Sequence, residues 1–149
     1  MSELPGPPGF LSADESARVA EAIDEVEHAT SAELKVVIVR HCWTDIRTKA
    51  AAVFRKLGLH RTEQRNCVLV LLVTANREFH VHGDEGIDAR VPAGFWDDVR
   101  DAMQSRFAEG RFADGLCEGV GLIGGKLTQY FPRRADDVDE IPDGVTYEE

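Results

Sequence analysis

Two runs of the chain, Leu34-Lys-Val-Val-Ile-Val-Arg40 and Cys67-Val-Leu-Val-Leu-Leu-Val73, are apolar and rich in β-branched residues at nearly every position. A strand with one wet face alternates polar and apolar residues, whereas a strand apolar on both faces has to be covered on both, as inside α/β sheets. The chain between the two runs supplies a cover. Thr44 or Asp45 can cap a helix whose stripe is Ile46, Ala50, Val53, Phe54 and Leu57, and Gly58 followed by Leu59 fits a left-handed stop with an apolar clamp. Two strands joined through a helix run parallel with a right-handed crossover. Only Thr74-Ala-Asn-Arg77 separates the second strand from Glu78-Phe-His-Val-His82, so the third strand turns back antiparallel.

Helices flank these strands. Ser12-Ala-Asp-Glu15 is a capping box, and Val19, Ala22, Ile23 and Val26 recur at helical spacing, which predicts a helix over 12–29 with its acidic face in water. Val91-Pro92 leads into a helix bearing Phe95, Val99, Ala102, Met103 and Phe107, stopped at Gly110. A last helix runs from Asp114 to Tyr130 around Leu116, Val120, Ile123 and Leu127. Its glycines, Gly115, Gly119, Gly121, Gly124 and Gly125, each cost roughly 0.5–1 kcal/mol relative to Ala, which predicts a close approach to a neighbouring element. The order α-β-α-β-β-α-α predicts an α/β fold, a three-layer α/β/α sandwich around a small mixed sheet.

The chain has 149 residues, with 17 Lys and Arg against 27 Asp and Glu and a net charge of -10. Residues 11–132 are expected to form one domain. Residues 1–10, rich in Pro and Gly, read as a flexible leader. Residues 133–149 hold seven acids against Arg133 and Arg134, and read as an acidic disordered tail that cannot bury enough apolar surface to order itself. The acid excess argues against nucleic acid and anionic membrane surfaces as partners. No apolar run nears the about 20 residues of a spanning helix, and the N-terminus lacks the pattern of a signal peptide, so a cytoplasmic location is expected. Cys42, Cys67 and Cys117 are widely spaced and read as reduced thiols.

Strand direction decides which polar groups meet. Ser31 and Glu33 before the first strand, Arg65 and Asn66 before the second, and Gly83, Asp84 and Glu85 after the third fall at one sheet edge. Gly83-Asp-Glu-Gly-Ile-Asp88 brings three carboxylates among glycines, and hard cations such as calcium and magnesium take oxygen ligands of this kind. The candidate metal ligands are therefore Asp84, Glu85, Asp88, Glu33 and Asn66. A purely structural reading of the same residues has Asp84 and Asp88 capping the turn and the next helix, neutralised by Arg65 or Arg90. His80 and His82, two apart on one strand, have a geometry compatible with zinc, yet no His or Cys stands at a companion spacing. No Gly-x-Ser-x-Gly elbow is present, and Gly121-Leu-Ile-Gly-Gly-Lys126 lacks the glycine spacing of a P-loop.

Taken in order, Glu27-His-Ala-Thr-Ser-Ala-Glu33, Arg65-Asn-Cys-Val-Leu-Val-Leu71, Phe79-His-Val-His-Gly-Asp-Glu-Gly-Ile87, Phe95-Trp96 and Phe107-Ala-Glu-Gly-Arg-Phe-Ala-Asp-Gly-Leu116 resemble the TPM domain family, over Leu11 to Pro132. The resemblance implies an α/β/α sandwich and binding of calcium or magnesium through acidic loop residues, with Glu33, Asn66, Gly83 and Asp84 at the family's polar edge. For some members it also implies a phosphatase activity. Many members carry a signal peptide and a membrane anchor, and the sequence shows neither pattern. Three functions are open at this point. One is a non-catalytic binding or interaction module that holds the cation and a protein partner. Another is a metal-dependent phosphatase acting on phosphate monoesters, with Asp84, Asp88 or Glu33 on the metal and Arg65 clamping the anion. The third is an interaction protein without a ligand.

Overall fold

The computed structural model describes residues 10–133 and 145–148. Its elements are α1 (Ala13–Ala29), β1 (Glu33–Val39), α2 (Ile46–Lys56), β2 (Cys67–Val73), β3 (Glu78–Gly83), α3 (Glu85–Asp88), α4 (Asp97–Ala108), α5 (Phe112–Tyr130) and β4 (Val145–Glu148), with a 3-10 turn at Leu59–Arg61. The sheet is ordered β3-β2-β1-β4. β1 and β2 run parallel with Glu33 opposite Cys67, and β3 returns antiparallel. Both central strands are buried at every position, as their unbroken apolar character requires. α1, α4 and α5 cover one face over Val36, Ile38, Val68, Val70 and Leu72. α2 covers the other with Val53 and Phe54 over Val37, Val39, Leu69 and Leu71.

Local chemistry sets the element ends. Ser12 Oγ accepts from Glu15 N while Ser12 N donates to Glu15 Oε1, closing the capping box on α1. The Asp45 carboxylate accepts from Arg47 N and caps α2, and Gly58 takes the left-handed φ of 71° after it. α4 begins at Asp97, later than its apolar spacing suggests, because Gly94 at φ 76° turns the chain first. Phe95 is therefore buried ahead of the helix, edge-on to Trp96 and Tyr130. The α5 glycines divide into two sets. A Cβ on Gly119 would stand 2.4 Å from Met103 Sδ, and one on Gly124 would stand 2.6 Å from Val26 Cγ2, so α4 and α1 approach closely there, while Gly121 and Gly125 face open space.

The expectation of a disordered tail needs correction for four residues. Val145–Glu148 form a fourth strand parallel to β1, with Val145 opposite Val36. Val145 and Tyr147 pack against the core on the α1 side, and Tyr147 Oη lies 2.7 Å from Ser16 Oγ. A short acidic segment cannot order itself, but an already folded edge strand offers it backbone partners and an apolar shelf. Phe10, counted in the leader, packs edge-on against Phe112. The rest of the leader and tail, residues 1–9, 134–144 and 149, lies outside the described residues. Among the described residues no helix is long and apolar enough to cross a membrane.

Candidate functional site

The parallel register of β1 and β2 starts both strands at the edge where β3 ends. Glu33 N donates to Asn66 O, Asp84 N to Cys67 O and Asn66 Nδ2 to Ser31 O, at 3.3, 3.0 and 3.2 Å. Glu33, Asn66 and Asp84 are only 3%, 2% and 6% exposed. A further carboxylate, absent from the sequence expectation, joins them: Glu27 is buried and its Oε2 accepts from Leu34 N at 2.9 Å. The signal for it lay in the spacing, since Glu27 follows Ile23 by four on the buried stripe of α1.

Arg65 organises this corner. It sits at φ 51°. From there Nε donates to Asp84 Oδ2 at 2.7 Å, Nη2 to Asp84 Oδ1 at 2.9 Å, and Nη1 to Glu85 Oε1 at 3.0 Å. Such a two-pronged pair fixes geometry as well as charge. Asp84 Oδ1 also accepts from Glu85 N at 2.8 Å and caps α3, while Gly86 N donates to Arg65 O at 2.9 Å. The Asp84 capping role and the Arg65 counter-charge of the structural reading are thus both present.

Of the five expected ligands, Glu33, Asn66, Asp84 and Glu85 meet at this edge. Asp88 turns instead into a cleft of about 430 Å³ beside β3, lined also by His80, Phe95, Trp96, Asp97 and Arg100. Among the described residues no set of three or more His, Cys, Asp or Glu side chains is grouped to hold a metal. Burial raises the Asp88 carboxyl above its ordinary value; His82 pulls it down and the Asp84 charge pushes it further up. Arg100 is paired with Asp97. His82 packs edge-on against Phe54 of α2 at 4.9 Å. Burial, and next to it Glu33, push the Cys67 thiol far above its ordinary value, so it is a core residue rather than a nucleophile.

His80 offers a local test of the cleft. Burial, followed by the charges of His82, Arg47 and Arg100, lowers its pKa from 6.5, while Asp45 opposes them. A ring that stays neutral when folded and charges freely when unfolded stabilises the fold above about pH 6.5, and that contribution is lost as pH falls. An NMR titration of the ring proton is expected to place its midpoint below 6.5; a midpoint at or above that value would mean a solvated ring.

The TPM domain pattern matches residues 7–126. No curated protein matches the chain. Among solved structures, the BA42 protein of the psychrophilic bacterium Bizionia argentinensis, determined by NMR, is 34% identical with a TM-score of 0.91, over 99% of this chain and 100% of that one. The N-terminal domain of a protein from P. gingivalis gives 22% identity and a TM-score of 0.63 over 85% of this chain and 82% of that one. The N-terminal domain of the cg2496 protein of Corynebacterium glutamicum gives 14% and 0.67 over 91% and 84%. These last two share the fold alone.

Proposed function

The chain belongs to the TPM domain family, and from that premise we propose that it is a non-catalytic binding module that takes calcium or magnesium at its acidic sheet edge and presents that edge to a protein partner. The observation that carries this reading is the convergence of the buried Glu27, Glu33 and Asp84 around the start of β2, where Glu27 Oε2 accepts from Leu34 N, Glu33 N donates to Asn66 O and Asp84 N to Cys67 O. Glu85 stands beside them, exposed at the start of α3. Arg65 serves as the built-in counter-ion. A hard cation entering from the exposed side of α3 would use Glu85 and compete with the guanidinium for Asp84.

Arg65 also favours binding over catalysis. A phosphatase using it as an anion clamp needs its donors directed at phosphoryl oxygens, and three of them are engaged by Asp84 and Glu85. Titration of the full chain with calcium and with magnesium, followed by amide NMR, is expected to move residues 31–33, 65–66 and 83–88. The response should weaken severalfold in Glu85→Gln. An unchanged spectrum up to about 10 mM metal, beyond the weakest range of extracellular calcium modules, would refute the cation reading.

A further inference from the structure

Charge is unevenly distributed along the chain. Nine of the 17 Lys and Arg, but two of the 27 Asp and Glu, lie from Lys35 to Arg77, the stretch that contains α2 and the 3-10 turn after it. On the opposite layer the cations are matched by neighbours: Arg18 by Asp114, Arg106 by Glu118, Arg111 by Asp114 and Lys126 by Asp98. On α2 the pattern differs. Among the described residues no ion pair involves Arg47, Lys49, Arg55 or Arg61.

Ala50, Val53 and Phe54 hold the inner side of α2 against the sheet, which leaves Arg55 on its outer side, while Arg47 is exposed on the flank toward β3, where its charge reaches His80. Lys49 is half-buried, and Arg61 stands exposed in the following turn. Ahead of the helix is Trp43, 86% exposed and stacked on His41 at 5.0 Å between ring centres. Arg and Trp are the side chains that most often anchor protein interfaces, because each combines apolar area with directed polar contact.

We propose that the exposed surface of α2, from Arg47 on its flank to Arg55 on its outer side, with Trp43 and Arg61 at its ends, is a docking surface for an acidic segment of a partner protein that seats an apolar side chain on Trp43. Charge complementarity selects this occupant. The 11 residues of α2 span about 16 Å, enough for a short peptide. A nucleic-acid duplex or a bilayer extends past the helix, and the chain's net charge of -10 repels so large a polyanion. An acidic peptide reaches the cations without meeting that repulsion.

The test uses the full 15N-labelled chain and a synthetic peptide of about ten residues, glutamate throughout except one central leucine. Shifts are expected at the Trp43 indole, along Arg47–Lys56 and at Arg61, and the dissociation constant should rise severalfold between about 50 and 200 mM salt. Arg47→Glu/Arg55→Glu/Arg61→Glu, all at exposed positions, should weaken binding at least about tenfold while the amide spectrum elsewhere is retained. Absence of shifts at millimolar peptide overturns the proposal. So does tighter binding, at equal salt, to a duplex oligonucleotide or to phosphatidylserine vesicles. Movement of the same signals without peptide, when Asp136, Asp137, Asp139 and Glu140 are changed to their amides, would assign the face to the chain's own tail and overturn it as well.

Discussion

Replacing Gly86 by Ala is expected to cost about 3–4 kcal/mol and to lower the melting temperature by roughly 10 °C. Gly86 is the second residue of α3, and a Cβ on it would stand 2.1 Å from Gln64 O and 2.5 Å from Arg65 O. Those are backbone atoms, which cannot swing aside as a flexible side chain does. Arg65 is already at a left-handed φ and bound through its guanidinium, so the turn has little room to yield. α3 would have to lift away, breaking the Gly86 N to Arg65 O bond, displacing the fully buried Ile87 and loosening Asp84 from Arg65. Gly121→Ala is the matched control. It makes the same change inside α5 where nothing lies within 4 Å, and helix propensity predicts a gain of about 0.5–1 kcal/mol. Thermal melts in which the two variants coincide would show that α3 does not press on the 64–65 backbone.

That contrast marks how far the sequence could be read. β1 and β2 were legible because a run apolar on both faces has few homes, and the convergence of Glu33, Asn66 and Asp84 followed from connection lengths that fix strand direction. The dispersal of Asp88 was not legible. Gly83 to Asp88 reads as a flexible loop able to gather its carboxylates, but Asp84 caps a turn of helix there, and successive residues then fan around an axis at about 100° each. β4 was hidden for a different reason. Val145 and Tyr147 are too few to order an acidic segment alone, and their order comes from β1 and Ser16, far away in sequence. The charge segregation stands in the sequence, yet it acquires meaning only when α2 is known to hold one face of the sheet.

Arg65→Ala is expected to cost about 2–3 kcal/mol, and millimolar calcium should restore part of the loss. Asp84 is buried, and removing its guanidinium leaves a carboxylate held by the capping amide of Glu85. Breaking a fully buried pair costs about 3–5 kcal/mol. The lower figure here allows for the half-exposed Arg65 side chain, whose removal admits water to Asp84. Both Arg and Ala carry a Cβ, so the strain of the left-handed φ at position 65 is common to both and does not enter the difference. In an Asp84→Asn background the same replacement should cost about 1 kcal/mol less, because no buried charge is stranded, and the difference in a double-mutant cycle measures the coupling. The cation reading adds a distinct consequence. With the guanidinium gone, a divalent ion no longer competes for Asp84, so calcium should bind Arg65→Ala more tightly than the wild-type chain and raise its stability by mass action. Loss of stability without any calcium response would keep the Arg65–Asp84 clamp and remove the cation site. Stability unchanged by Arg65→Ala would remove the clamp itself.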